Sequence, residues 1–155
     1  MTKNNVTLRA VVESDLPIFY EQQLVPEATQ MAAFPSRTRE TFMAHWAKIM
    51  VNKNGIIKTI LFDGHVAGNI LSWEQSDKWE VGYWLGKEFW GKGIATKALA
   101  EFLDIVKIRP LFAHVVKHNI GSQRVLQKCG FVIAGEDKFA EENGMKIEEL
   151  ILKLV

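Results

Sequence analysis

Two glycines lie in a short turn between an apolar segment and an amphipathic one, in the sequence Phe-Trp-Gly-Lys-Gly-Ile-Ala-Thr at residues 89–96. A strand that turns through Gly91 and Gly93 directly into a helix leaves several backbone N–H groups pointing the same way. Those groups and the positive end of the helix dipole suit a phosphate or pyrophosphate. Glycine also lets the backbone approach the anion without an intervening Cβ. The turn therefore predicts a phosphorylated small-molecule ligand.

Three kinds of phosphate-binding turn compete for this segment. A P-loop requires Ser or Thr after its Gly-Lys pair, and neither Gly86-Lys87 nor Gly91-Lys92 is followed by one. A dinucleotide fingerprint requires a third glycine, which is missing after Gly93. The pyrophosphate turn of coenzyme A acyltransferases, Gln/Arg-x-x-Gly-x-Gly/Ala, fits from its fourth position onward, with Trp90 in place of the first residue. A helix that merely follows a loop is the alternative without a ligand, so the flanking sequence has to decide.

The flanking sequence resembles the GNAT superfamily of acyl-CoA N-acyltransferases and, within it, the RimJ/RimL-like branch. The resemblance extends over residues 79–131 in four blocks, in family order and at family spacing, and residues 8–17 look like the opening strand and helix of that branch. The blocks are Glu-Val-Gly-Tyr-Trp-Leu at 80–85, Trp-Gly-Lys-Gly-Ile-Ala-Thr-Lys-Ala-Leu at 90–99, Asn-Ile-Gly-Ser at 119–122 and Lys-Cys-Gly-Phe at 128–131. Trp90 departs from the family pattern, but the work of the turn is done by backbone groups.

The resemblance implies acetyl-CoA as the acetyl donor and a small-molecule or peptide amine as the acceptor, with direct transfer in a ternary complex. The pantetheine arm would extend the strand that ends at residues 84–85, and a backbone N–H near Leu85 would bind the oxyanion. The predicted cofactor-binding residues are Trp84, Leu85, Trp90, Gly91, Lys92, Gly93, Ile94, Ala95, Thr96 and Asn119. The alternative is a non-catalytic acyl-CoA sensor that kept the turn and lost turnover.

The resemblance also suggests the catalytic residues. Ser122 is the predicted general acid for the leaving sulfur, although both Asn119 and Ser122 are equally suited to cap a helix. Glu80 is the predicted base, because the superfamily often places a carboxylate near the start of this strand; a solvent-facing residue or a partner for a lysine is the alternative. His114 is the second candidate base and a water chain the third. Cys129 is predicted to be a buried, unreactive thiol.

The composition of the chain argues against several other classes of function. The chain of 155 residues is predicted to form one domain, 1–155, and 48% hydrophobic with 24% charged residues is ordinary for a soluble globular protein. Its 19 basic and 18 acidic residues are well mixed, so nucleic acid is not an expected partner. A single cysteine suits a reducing cytoplasm, and no apolar run suggests a leader or a membrane span. The spacing of histidine and cysteine suggests no metal site. Homodimers are frequent in the superfamily, so a homodimer stays open.

The predicted elements would bring these residues together. Apolar periodicity and turn residues predict helices at 17–21 (capped by Ser14), 38–50, 94–106 and 120–129, and strands at 6–11, 56–62, 66–73, 79–85, 111–116, from 132, and at 147–154. Residues 26–35 are expected to be irregular, and Asn143-Gly144 to form the last turn. The expected fold is mixed α/β (α+β): a GNAT-like central mixed, mostly antiparallel sheet with helices on both faces and a splayed cofactor cleft. Met31, Phe34, Trp73 and Trp84 could line an acceptor pocket.

Overall fold

The computed structural model of the chain describes residues 5–32, 36–140 and 146–155. The strands of its sheet are β1 (Val6–Arg9), β2 (Ile56–Phe62), β3 (His65–Gln75), β4 (Lys78–Leu85), β5 (Leu111–Val116), β6 (Val132–Ala140) and β7 (Lys146–Leu154). The α-helices of the described residues are α1 (Leu16–Gln23), α2 (Pro26–Ala32), α3 (Arg39–Val51), α4 (Ile94–Ile105) and α5 (Ile120–Lys128). Short 3-10 turns cover Glu13–Asp15 and Lys87–Phe89.

The strands form one sheet in the order β1-β2-β3-β4-β5-β7-β6. Neighbouring strands run antiparallel except β4 and β5, which are parallel. Parallel neighbours need a crossover connection, and α4 provides it. The predicted fold class, a mixed and mostly antiparallel sheet in an α/β arrangement, is confirmed.

Helices cover both faces of the sheet, and the side chains of β3 show which helices lie on which face. Ile70 of β3 belongs to the larger buried cluster, which α4 and α5 cover. Leu71, the next residue, packs on a smaller cluster from α1 and α3, where the Phe19 and Trp46 ring centroids are 5.1 Å apart. Adjacent residues of a strand point to opposite faces, so the two clusters lie on opposite sides of the sheet. Burial on both sides holds β4 and β5 in place at its centre.

Local sequence signals account for most element boundaries. The β2–β3 hairpin turns at Asp63 and Gly64, whose φ angles of 50° and 86° are both positive, as the tight turn requires. Thr38 caps α3 by accepting a hydrogen bond from the Thr41 N–H at 3.3 Å. The strands predicted at 56–62 and 111–116 coincide with β2 and β5. The predicted turn at Asn143-Gly144 lies outside the described residues.

The prediction that residues 26–35 are irregular is wrong for the described part of this range, because α2 begins at Pro26. Proline suits the first position of a helix, where its missing N–H is not needed. The Val25 carbonyl accepts hydrogen bonds from the N–H groups of Ala28 and Thr29, at 3.0 and 3.2 Å. Ala28 is 3% exposed. Burial of this face stabilises a helix too short to be recognised from its sequence.

The prediction that Ser14 caps the first helix is also wrong, because Asp15 has the organising role. The Asp15 carboxylate accepts hydrogen bonds from the Val12 N–H at 3.0 Å, the Thr59 hydroxyl at 2.7 Å and the Arg9 guanidinium at 2.7 and 2.8 Å. Burial alone would raise the pKa of Asp15, but these hydrogen bonds and the Arg9 charge outweigh it and lower the pKa to about 2. The network joins β1, the start of α1 and β2.

Candidate functional site

The central opening of the sheet lies between β4 and β5. Backbone pairing of these strands covers only Trp79 with Leu111 and Glu80 with Phe112. Beyond these pairs the parallel strands separate, so the second half of β4 has no strand beside it on that edge. The splay leaves room for an extended ligand to lie between the two strands.

A cleft of about 480 Å³ occupies this opening, a volume within the usual range for small-molecule sites. Its lining residues are Ala28, Tyr83, Trp84, Leu85, Phe89, Trp90, Gly91, Gly93, Ile94, Ala95, Thr96, Asn119, Gly121, Ser122, Arg124, Val125 and Lys128. Two of them are cationic, Arg124 and Lys128, and none is a carboxylate. The cleft is therefore suited electrostatically to an anionic ligand.

The turn before α4 forms the mouth of the cleft. Gly91 and Gly93 have φ angles of 74° and 76°, in the left-handed region that glycine enters without strain. Gly93 is the N-cap of α4, and no side-chain hydrogen bond caps this helix end. The N–H groups of the first helical turn are therefore free of a capping side chain and point towards the cleft mouth. This is the geometry that the turn sequence predicts for an anion site.

The end of β4 forms one wall of the cleft. The Gly86 N–H donates to the Ala67 carbonyl at 2.8 Å, so this residue directs its backbone groups towards β3. Alternate residues direct theirs to opposite edges, which places the N–H of Leu85 on the side of the opening. The Leu85 carbonyl accepts a hydrogen bond from the Trp90 indole at 3.0 Å. The Trp90 side chain thus fixes the turn against the strand, and the Leu85 N–H faces the cleft.

The start of α5 forms the opposite wall. The Asn119 side-chain oxygen accepts from the Ser122 N–H at 3.2 Å, so Asn119 is the helix cap, one of the two roles predicted for it. The Tyr83 hydroxyl donates to the Ser122 Oγ at 3.0 Å across the cleft. Burial raises the pKa of Tyr83, the hydrogen bond with Ser122 opposes the rise, and the nearby Cys129 adds to it. The phenol therefore keeps its proton at neutral pH and can donate it.

The α2 helix closes the cleft from a third side. Ala28 of this helix lines the cleft. On the β4 side, Glu27 forms an ion pair with Lys87 at 3.1 Å. On the β5 side, the Gln30 carbonyl lies 2.9 Å from the His118 Nε2. α2 thus bridges the two strands that the opening separates, and it is held at both ends.

The structure places the predicted site residues in two groups. Every predicted cofactor-binding residue except Lys92 lines the cleft, and so does Ser122. The Lys92 ammonium lies instead over the Phe62 ring, 6.0 Å from its centroid. Glu80 does not line the cleft: it lies where β4 still pairs with β5, on the face opposite Tyr83. Its carboxylate lies 3.3 Å from the Nε2 of His114, so the two predicted base candidates contact each other.

Sequence reasoning missed seven lining residues: Ala28, Tyr83, Phe89, Gly121, Arg124, Val125 and Lys128. Arg124 and Lys128 could have been found, because a spacing of four residues after the predicted cap puts both side chains on one helix face. Tyr83 adjoins the predicted Trp84, but alternation along the strand alone did not show that side chains from both faces of β4 reach the cleft. Ala28 lies on the helix that the sequence did not predict.

Other sequence predictions concern Cys129 and the acceptor pocket. The Cys129 thiol is partly buried, donates to the Thr96 carbonyl at 3.6 Å, and has a pKa raised by burial, which agrees with an unreactive thiol. Phe34 and the side chain of Met31 lie outside the described residues. Among the residues described, no group of three or more His, Cys, Asp and Glu side chains could hold a metal ion. In the same part of the chain, no helix is long and apolar enough to cross a membrane.

Solved acetyltransferase structures share the fold of this chain. The structure aligns with RimL, titled a ribosomal L7/L12 alpha-N-protein acetyltransferase in complex with coenzyme A, at a TM-score of 0.82 and 21% identity, covering 99% of this chain and 95% of that one. It aligns with spermidine N-acetyltransferase from Vibrio cholerae, in complex with CoA and spermine, at a TM-score of 0.81 and 19% identity, covering 96% and 94%. At these identities the two alignments establish a shared fold.

Similarity in sequence identifies the family as well as the fold. The chain is 28% identical over 148 residues to a Bacillus subtilis (strain 168) protein named "Putative ribosomal N-acetyltransferase YdaF", covering 85% of this chain and 80% of that protein. Residues 5–132 match the family described as "Acetyltransferase (GNAT) domain", and this range contains the whole cleft. Because the match spans most of the sequence, the chain belongs to the GNAT acetyltransferase family.

Proposed function

We propose that this protein transfers an acetyl group from acetyl-CoA to a primary amine, by direct attack of the amine on the thioester in a ternary complex. The observation that carries the proposal is the cleft itself. It joins an uncapped helix N-terminus, an unpaired edge of β4 and a hydroxyl pair in one anion-compatible space. A thioester with a phosphorylated tail needs these three features along its length.

Acetyl-CoA would bind with its pyrophosphate on the turn of residues 91–96 and its pantetheine arm along β4. The Leu85 N–H would donate to the thioester oxygen and stabilise the negative charge that develops there. Arg124 and Lys128 would add positive charge beside the phosphates. Asn119 would contribute its amide N–H₂, because its oxygen is already used by the Ser122 N–H.

Ser122 would protonate the departing thiolate, and Tyr83 would replace that proton through their hydrogen bond. On the other face of β4, Glu80 would act as the base that removes a proton from the incoming amine. The two faces of the strand would thus separate the acid from the base, with the thioester in the gap between them.

We propose two amine classes as acceptors, a protein N-terminus and a polyamine, because relatives with this fold are named for these substrates. We place the reaction in the cytoplasm, because a single partly buried thiol suits a reducing compartment. The 1–155 chain is proposed to act as one catalytic domain.

The test is free-thiol release from acetyl-CoA with a panel of amines: spermidine, peptides with a free N-terminus, amino acids and an aminoglycoside. Release that depends on one amine supports the proposal and identifies the acceptor class. No release, with CoA still bound by calorimetry, favours the acyl-CoA sensor. No release and no CoA binding overturns the assignment of the cleft.

A further inference from the structure

His114 lies between two carboxylates on the sheet face opposite Tyr83. Its Nδ1 lies 2.9 Å from the Glu149 Oε1, and its Nε2 lies 3.3 Å from the Glu80 Oε1. The three residues come from adjacent strands, β4, β5 and β7. The Glu80 and Glu149 side chains are only 15% and 16% exposed, whereas His114 is 34% exposed. Glu149 carries no prediction from the sequence, and no part of the mechanism above uses it.

The hydrogen bonds of this cluster determine which nitrogen of a neutral His114 ring carries the proton. An ionised carboxylate only accepts hydrogen bonds, so the short Nδ1 contact with Glu149 requires the proton of a neutral His114 to be on Nδ1. The Nε2 lone pair then faces the Glu80 carboxylate, an unfavourable contact between two acceptors. One added proton between His114 and Glu80 converts that contact into a charge-assisted hydrogen bond. The pair is therefore arranged to accept one proton.

The location of the pair suits a proton acceptor for the reacting amine. Backbone pairing of β4 and β5 ends at Glu80 and Phe112, and the strands separate from there. His114 follows Phe112 by two residues and so shares its face. The pair thus lies at the closed end of the opening, on the side of the sheet away from Tyr83 and Ser122. An amine that reaches the thioester from this side passes close to it.

We propose that Glu149 is a positioning residue that holds the His114 ring with its Nε2 towards Glu80, so that His114 and Glu80 together take the proton from the acceptor ammonium. This inference rests on the proposed acetyl transfer. One N–H bond of the ammonium breaks, and its proton passes to the pair and then to solvent through the partly exposed imidazole. The neutral amine forms the N–C bond, the C–S bond breaks with its electron pair on sulfur, and Ser122 protonates the sulfur. The second amine proton is released to solvent and balances the proton that Tyr83 takes back.

Other charged groups on the neighbouring strands and on α2 make contacts of their own. Lys78 and Lys153 lie over the Phe112 ring, 5.1 and 5.9 Å from its centroid. Asp137 is opposite Glu149 in the β6–β7 register. Glu27, on the α2 helix that also packs on β5, is paired with Lys87.

The first test reads the His114 ring directly, without an acceptor. Long-range ¹H–¹⁵N NMR distinguishes the two tautomers, and His114→Gln identifies the signals. In the CoA-bound wild type, the neutral ring is expected to carry its proton on Nδ1. Glu149→Gln is expected to give a mixture of tautomers, and Glu149→Asp to restore part of the preference. A neutral wild-type ring protonated on Nε2, or a preference unchanged by Glu149→Gln, overturns the positioning role.

The second test measures kcat/KM against pH for thiol release with the amine that the panel identifies. His114→Gln is expected to lower kcat/KM about 10²-fold and Glu149→Gln about 10-fold, each with an altered acidic limb. The double variant should be no worse than His114→Gln alone. Glu148→Gln is the matched control, because Glu148 lies on the other face of β7 and pairs with Lys117, 3.4 Å away. It should leave the profile unchanged.

The outcomes separate the two proposals. Thiol release that is unchanged in His114→Gln and Glu149→Gln overturns the proton pair and leaves acetyl transfer intact. An effect of Glu148→Gln as large as that of Glu149→Gln also overturns it, because loss of any β7 carboxylate would then explain the result. No thiol release from the wild type with any amine overturns acetyl transfer, and the pair with it.

Discussion

Gly93 offers a direct test of where the anion binds. We compare Gly93→Asp with Gly93→Asn, two side chains of nearly the same size that differ in charge. Among the residues that the structure describes, an added Cβ would meet nothing within 4 Å, so none of them blocks either variant. Both side chains tolerate the φ angle of 76° better than most residues do, and the remaining strain is common to the two. Their difference therefore isolates the effect of the carboxylate on CoA binding.

The expected magnitude follows from Coulomb's law. The Cβ of residue 93 lies at the helix N-terminus, so a carboxylate there would be about 4–6 Å from a phosphate held by the first-turn N–H groups. At an effective dielectric constant of about 20, one such pair of charges repels by about 3–4 kcal/mol. The dissociation constant for CoA should therefore be about 10²–10³-fold higher for Gly93→Asp than for Gly93→Asn.

Isothermal titration with CoA at low and high salt is the assay, and thermal denaturation checks that both variants fold. The difference should shrink at high salt, because the charges at the cleft mouth are accessible to ions. Equal affinities of the two variants at low salt would refute the assignment of the turn as the pyrophosphate site.

Three further predictions concern the cleft walls and their support. Ser122→Ala and Tyr83→Phe should each lower kcat by about 10-fold or more in the thiol-release assay while CoA affinity, measured by calorimetry, changes little. Asp15→Asn should cost about 2 kcal/mol in urea unfolding near neutral pH, because the pKa of Asp15 is lowered from 3.8 to about 2 in the folded state. In the wild type, this stabilisation is present above about pH 4 and is lost as pH falls towards about 2. Gly68→Ala should destabilise the fold by about 1–3 kcal/mol and weaken CoA binding, because the new Cβ meets the Trp84 carbonyl and β4 must shift.

Each of these three predictions would be contradicted by a specific result. Unchanged turnover in Ser122→Ala would mean that Ser122 has only a structural role at the start of α5. Parallel loss of stability in the wild type and Asp15→Asn between about pH 4 and pH 2 would show that another group controls acid unfolding. A Gly68→Ala protein of normal stability and CoA affinity would mean that β4 adapts without consequence for the cleft.

Much of the fold could be predicted because its signals are local. The β2–β3 hairpin, the start of α3 and the apolar periodicity of α4 depend on neighbouring residues, and each of these elements lies close to where the sequence predicted it. The α2 helix could not be predicted in this way. Seven residues are too few to form a helix alone, and its stability depends on burial of Ala28 against the cleft. Likewise, the sequence suggested Ser14 as the cap, because it could not show that the Thr59 hydroxyl of a distant strand donates to the Asp15 carboxylate.

The same distinction between local signals and contacts of distant residues applies to the candidate site. The turn of residues 91–96 could be read from the sequence because a continuous segment of backbone does its work, and glycine spacing reports the backbone conformation directly. The pairing of Tyr83 with Ser122 could not, because the two hydroxyls are 39 residues apart and meet only across the opening. The contacts of His114 with Glu80 and Glu149 depend in the same way on the register of three strands.

By itself, the sequence determined the family, the fold class and the glycine turn at residues 91–96, since each follows from short motifs and from the order of elements along the chain. Only the tertiary structure decided that the end of β4, rather than its start, meets the cleft, and which side chains from distant strands come within hydrogen-bond distance. The physical reason is that a strand fixes the alternation of its own side chains, whereas the partners they meet are selected by sheet register and by the helices that cover each face.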